Sequence, residues 1–336
     1  MKLVTILATV AGLVLGTVIV AYYGFGAVAA ALGAIGWGGF LAIVAYHLVL
    51  MAALGLAWYV IVPPQQQRAR AYLWGRIVRD SGSEILPLSQ IGGFVMGARA
   101  ATLLGPSMTL AFASTVVDVT IEVMAQLGYT ALGLALLVQL HPDARLIYPV
   151  AIGIAIGVVA ILGFVLLQRR GAAFVEKLSK QLAASWLPDA ASRTRPLQQT
   201  LDEIYARRGG LAAGFVLHFV AWVASAGEAW LALHLMGVDL GIAAVLTIES
   251  LLYAIRSVAF AVPNAVGVQE GAYVMLGALF GLPPEMALAL SLLKRGRDLV
   301  IGIPALLTWQ ALEGGALFRR RDATRLPADR DAGSAP

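Results

Sequence analysis

The chain has 336 residues, 60% of them hydrophobic and only 13% charged, with a mean hydropathy of +0.82. A soluble domain carries about 25% charged residues, so the composition excludes one and marks an integral membrane protein. Cysteine is absent, which excludes disulfides, thiolate metal sites and a cysteine nucleophile. The net charge of +5 matters by its placement, because basic residues gather at 68–79, 169–208 and 319–330. Each cluster borders an apolar stretch, which argues for cytoplasmic loops and against a nucleic-acid partner.

Residues 3–22 are predicted to form a first span entering from the cytoplasm. The run is about 20 residues, longer than the roughly 7–15 of a signal-peptide core, so it reads as uncleaved. Gly12 and Gly16 give it a GxxxG face, suited to close packing or to a second copy of the chain. Residues 24–37 read as a small-residue connection at the outer surface. Residues 38–62 return through the membrane, with Trp58 and Tyr59 in an interfacial belt and Pro63-Pro64 as the stop. His47 lies mid-span and reads as a packed or hydrogen-bonded histidine.

The basic stretch 65–84, with Tyr72, Leu73, Trp74 and Ile77 interleaved, is expected to lie on the headgroups. Residues 87–104 then enter the membrane and turn back, carrying Arg99. Residues 108–140 form a tilted span with Asp118 and Glu122 four apart on one face. His141-Pro142-Asp143 is an outer loop, and 146–167 is the next span. The polar stretch 168–210 is predicted to be a cytoplasmic amphipathic linker, with Phe174, Leu178, Leu182 and Trp186 opposite Lys177, Lys180 and Gln181. It is suited to anionic phospholipid or to a plain solvated role. Pro196 breaks it, and Leu197, Leu201, Ile204 and Tyr205 mark a second helix. Residues 211–235 span, holding His218 and Glu228. Residues 241–262 re-enter with Glu249 and Arg256, and 284–313 exit to the cytoplasm. Residues 319–336 form a polar tail expected to be disordered.

The unusual stretch is 261–298, AVPNAVGVQEGAYVMLGALFGLPPEMALALSLLKRGRD. Pro263 and Asn264 break the first helical run, and Gly281, Pro283 and Pro284 end the second. The 14 or so residues between them fall short of the roughly 20 a spanning helix needs. A half-helix survives in a membrane only where protein or a water-filled cavity covers its ends. A weaker copy lies at 86–122, where Pro87 answers Pro263, Gly93 answers Gly271, and Gly105-Pro106 answers 281–284. The spacing is roughly 176–180 residues. The expected fold is therefore an all-α membrane domain over 1–313. It has about six full spans, two broken hairpins as an inverted repeat (units near 86–140 and 241–313), and both termini cytoplasmic. A variant in which 241–262 and 267–280 both span keeps the same orientation.

Within the membrane stand Arg99, Asp118, Glu122, Glu228, Glu249, Arg256, Glu270, Lys294, Arg295, Arg297 and Asp298. A lone charge at mid-bilayer costs about 2.5–3.5 kcal/mol even on the insertion scale, so these must pair or be wetted. They are structural ion pairs, or they form a polar cavity for a lipid headgroup. Glu270 is placed at the start of the half-helix, with Arg295 and Arg297 folding back beside it. Enzyme signatures are missing: GVQEG lacks the Gly-Lys-Ser/Thr of a P-loop, and no HExxH or GxSxG occurs. The four histidines are scattered, so neither metal nor cofactor is expected.

The motif VPNAVGVQEGAY followed by SLLKRGRD resembles the flippase-like superfamily that includes the transmembrane region of lysylphosphatidylglycerol synthases. Over nearly the whole chain it is also similar to the hopanoid-biosynthesis-associated membrane proteins of that superfamily. Pro87 with Gly92-Gly93 resembles the earlier Pro-x-x-x-x-Gly element, with glycine where many members have glutamate. The resemblance implies a polytopic bacterial inner-membrane protein that handles lipids, with hopanoid or related isoprenoid lipid transport as its role. Matched to the motif, Pro263, Gly267, Glu270, Gly271, Arg295 and Arg297 are the key positions. A membrane transferase acting on such a lipid, or a scaffold for lipid-biosynthesis partners, are the other readings.

Overall fold

A computed structural model describes residues 25–85, 89–182, 190–259 and 265–323. The predicted span at 3–22, with Gly12 and Gly16, lies outside them, as do Pro87, Pro263, Asn264 and the tail from 324. The described residues form helices joined by short turns, with no strand among them. In chain order they form α1 (Phe25–Ile61), a 3₁₀ turn, α2 (Ala69–Ile85), α3 (Ser89–Thr102), α4 (Met108–Leu140) and α5 (Ile147–Leu182). Then come α6 (Ala190–Ala206), α7 (Arg208–Leu235), α8 (Ile242–Val258), α9 (Val268–Leu279) and α10 (Pro284–Ala323). Parts of four of them, Val28–Ile61, Met108–Leu140, Ile147–Gln168 and Arg208–Leu235, are long and apolar enough to cross a membrane.

Local sequence accounts for the boundaries. Gly105, at φ 121°, and Pro106 end the preceding chain. The Ser107 side chain then accepts from the Leu110 amide at 3.2 Å and caps α4. Gly36, at φ 62°, kinks α1. The outer connection predicted at 24–37 is therefore helical up to that glycine, which takes the left-handed bend without steric cost. Pro196 lies inside α6 instead of breaking it, and α5 and α10 run on to Leu182 and Ala323. The first part of the linker thus continues a span.

The main correction concerns 65–84. Instead of lying on headgroups, α2 is packed in the bundle, burying Tyr72, Gly75, Arg76, Val78, Arg79 and Gly82. It pairs closely with α3. A methyl on Gly75 would stand 2.9 Å from the Gly97 carbonyl, and one on Gly97 would stand 2.7 Å from the Gly75 carbonyl. The first hairpin is therefore α2–α3, starting at Ala69 and not at residue 87. Arg76 and Arg79 are not loop charges, and only Arg68 and Arg70 of that cluster are exposed.

Two apolar clusters hold the bundle. One joins Trp58, Tyr72, Ala101, Leu110 and Ile204; the other joins Ile43, Leu137, Leu233, Leu251, Tyr273 and Leu290. The contacts also fix how α2 and α8 lie along α4. Trp58 stacks edge-on against Tyr72 at 5.3 Å and donates to Ser114 at 3.0 Å, while Arg76 and Arg79 meet Asp118 and Glu122. Hence α2 advances with α4. Further along α4, Tyr129 meets Tyr253 at 6.3 Å and Gly133 abuts Ser250, so α8 runs against it. The C-terminal ends of α2 and α8 are joined by Glu84–Arg256 at 3.0 Å. Among the described residues the apolar stretch of α5 is left unburied, touching α4 through Gly157 and Leu127.

Candidate charged site within the helix bundle

The second break is built on backbone strain. Ala265 has φ 45°, an uncommon value for a residue with a side chain. Gly267 follows at φ 80° and starts α9. Glu270, in the first turn, accepts from the Gly267 amide at 2.7 Å, which answers one orphan donor of the helix end and suits the dipole. Its other oxygen accepts from Ser291 Oγ at 3.0 Å and Arg295 Nε at 2.7 Å. Gln269 donates to Ser291 at 2.9 Å. Gly271 continues the helix, its amide bonded to the Gly267 carbonyl.

One turn of α10 sends its cations to three helices. Lys294 pairs with Glu249 of α8 at 2.5 Å, and the Tyr273 hydroxyl of α9 donates to the same carboxylate at 2.6 Å. Arg295 takes Glu270 of α9. Arg297 takes Glu228 of α7 and the neighbouring Asp298, the latter at 2.6 Å. The expectation that Arg297 folds back beside Glu270 is therefore corrected. Residues two apart on a helix point to different sides, so Arg295 and Arg297 cannot share one acid. His47 is hydrogen-bonded as expected, with Nδ1 2.9 Å from Glu228.

A second charged group lies between α2, α4 and α7. Asp118 accepts from Arg79 at 2.6 Å and meets His218 Nε2 at 2.9 Å, with Arg76 at 3.8 Å. Glu122 takes a bidentate Arg76 at 2.8 and 3.1 Å and also Arg79. Asp80 completes it, 2.7 Å from Arg76 Nε. Asp118 and Glu122 do share a face, as the sequence requires. Their partners Arg76, Arg79 and His218 were not identified as site residues from sequence. Two other predicted members stand apart from both groups: Arg256 on Glu84, and Arg99 on Glu313 at 2.6 Å. A cavity of about 300 Å³ also lies apart, at the α4–α5 turn beside His141, Pro142 and Leu279.

The family model described as the lysylphosphatidylglycerol synthase TM region matches residues 6–305. The match covers most of the chain and both charged groups, and the chain belongs to that family. No curated protein and no solved structure matches it.

Proposed function

We propose that this member of the lysylphosphatidylglycerol synthase TM region family moves an amphiphilic lipid across the bacterial inner membrane. The lipid proposed is a hopanoid or related isoprenoid. The observation that carries the reading is the Glu270–Arg295 pair at the strained start of a half-helix. The Arg295 side chain is 18% exposed and that of Glu270 only 4%. An anionic headgroup reaching Arg295 competes with Glu270, which keeps the Gly267 amide and Ser291 as partners. The guanidinium can therefore change partner without stranding a buried carboxylate. Structural need does not account for so many charges, because a buried ion pair stabilises packing poorly.

The same proposal takes α2–α3–α4 and α8–α9–α10 as an inverted repeat, within six spans and with both termini cytoplasmic. Three observations support it. The first limbs, α2 and α8, run oppositely along α4. Their ends meet at Glu84–Arg256. Arg76 stands nine residues before the end of α2 and Glu249 nine before the end of α8, while Asp118 and Lys294 each stand ten past the start of α4 and α10. The paired positions are kept and the signs are exchanged. Anionic phospholipid around 168–210 and self-association of the chain belong to this reading. It invokes no cofactor, no metal and no leaving group.

The test is a lipid profile of a deletion strain, taken by membrane fraction and complemented with wild type or Arg295→Gln. Redistribution of a lipid whose total is unchanged, restored by wild type and not by the variant, is expected. A missing lipid product indicates a transferase instead. An unchanged profile removes the lipid reading.

A further inference from the structure

Two histidine–carboxylate pairs are unused by the lipid site, and both involve α7. His218 is fully buried; its Nε2 faces Asp118 and its Nδ1 has no hydrogen-bond partner. Ten residues on, roughly 15 Å along the helix axis, Glu228 meets His47 Nδ1 at 2.9 Å. Between them Trp222, Ser225 and Glu228 follow His218 at helical spacing on one broad side of α7. Trp222 Nε1 is buried without a partner, a donor that a bridging water would satisfy. The Tyr46 hydroxyl lies beside Glu228, donating to the Ala224 carbonyl at 3.0 Å.

The charges around each histidine leave room for one proton. Around His218 stand Arg76, Arg79 and Asp80 of α2 with Asp118 and Glu122 of α4, two cations against three carboxylates. Around His47 stand Glu228 of α7, Lys294, Arg297 and Asp298 of α10, and Glu249 of α8. That is two cations against three carboxylates. On α6, Asp202 and Glu203 are exposed, and Arg207, just after it, donates to the Val60 and Val62 carbonyls at the end of α1. Each group therefore has one carboxylate more than it has cations, and each holds one histidine against a carboxylate.

We infer that α7 carries a two-station proton relay, His218–Asp118 and His47–Glu228, whose proton passage drives the lipid movement proposed above. A proton from one aqueous side binds Nδ1 of neutral His218 and makes it imidazolium. It passes by bridging water to the His47–Glu228 pair and leaves on the other side, returning both imidazoles to neutral. No electron moves and no other reactant is consumed. Histidine and carboxylate chains of this kind mark proton paths in membrane proteins. The inference rests on the transport reading only for what the proton drives.

The test uses the full chain in phosphatidylethanolamine–phosphatidylglycerol vesicles. Imidazole ¹⁵N resonances are followed between about pH 5 and about pH 8, and proton flux is read with a trapped pH dye after a pH jump. The relay requires a change of protonation state at both histidines as the pH is moved. Flux above that of protein-free vesicles should be lost in His218→Gln and in His47→Gln. Either histidine holding one protonation state across the window, or variants conducting as wild type, overturns the relay. Wild-type flux without lipid redistribution in the deletion strain keeps the relay and removes the lipid reading. Redistribution restored by His218→Gln does the reverse.

Discussion

The pair Lys294–Glu249 separates a structural pin from a working group. Glu249 is fully buried, and its partners are Lys294 at 2.5 Å and Tyr273 at 2.6 Å. Lys294→Met removes the cation and leaves a buried carboxylate with one neutral donor. Breaking such a pair costs about 3–5 kcal/mol, most of it the uncompensated charge. Adding Glu249→Gln removes that charge while its amide oxygen still accepts from Tyr273. The double variant should therefore recover all but about 1 kcal/mol, the net worth of a hydrogen bond. The assay is unfolding by SDS titration in bicelles, followed by tryptophan fluorescence, beside lipid redistribution in the complemented deletion strain. A structural pin recovers fold and activity together in the double variant; a working pair recovers fold alone. A double variant as unstable as Lys294→Met would refute the energetic reasoning, because the loss could not then come from the unpaired Glu249.

Gly133→Ala puts a methyl 1.6 Å from Ser250 Oγ and should cost about 1–3 kcal/mol as overpacking; Ser250→Gly in the same chain should restore thermal stability. Gly267→Ala forces a side chain into φ 80° at about 1–2 kcal/mol, read by unfolding, with lipid movement reduced. The absence of cysteine allows topology to be read by single cysteines. Those at Arg70 and Arg208 should resist an impermeant thiol reagent in intact cells and one at Pro142 should react; labelling of Arg70 from outside overturns the orientation.

The elements most legible in the sequence are those with chemical punctuation. The bounds 108–140 match α4 because Gly105, Pro106 and Ser107 stop one helix and cap the next. The half-helix α9 was legible for the same reason, between its Pro-Asn break and Gly281-Leu282-Pro283. The stretch 65–84 was misread because its charge density resembles a surface. Arg68, Arg70, Arg76, Arg79, Asp80 and Glu84 lie within it, and composition does not say which of them meet acids elsewhere. A signal was present in the glycines, since Gly75 and Gly82 on one helix and Gly93 and Gly97 on the next match the small-residue spacing of a tight crossing. Read that way, Arg76 and Arg79 fall on the buried face and need carboxylates, which Asp118 and Glu122 supply. The proposed repeat is faint in the sequence for a related reason: the positions it matches carry opposite signs, so a match by residue type finds chiefly the prolines and glycines.

The exchange of sign also bears on how the molecule can move. In the first unit of the proposed repeat the long helix α4 holds acids and the hairpin limb α2 holds guanidiniums; in the second, α10 holds the cations. Since Lys294, Arg295 and Arg297 each bind a different helix, shifting α10 as a body would break three buried pairs at once. Each break costs about 3–5 kcal/mol, more than a ligand's differential affinity ordinarily supplies. On the transport reading, motion then begins at the pair whose loss strands least charge. That is Arg295–Glu270, where the acid keeps an amide and a hydroxyl and the base already reaches the surface. The neighbouring Ala265 and Gly267 hold that joint in the left-handed region, and a segment whose strain is relieved by moving opens at lower cost than the regular helices around it.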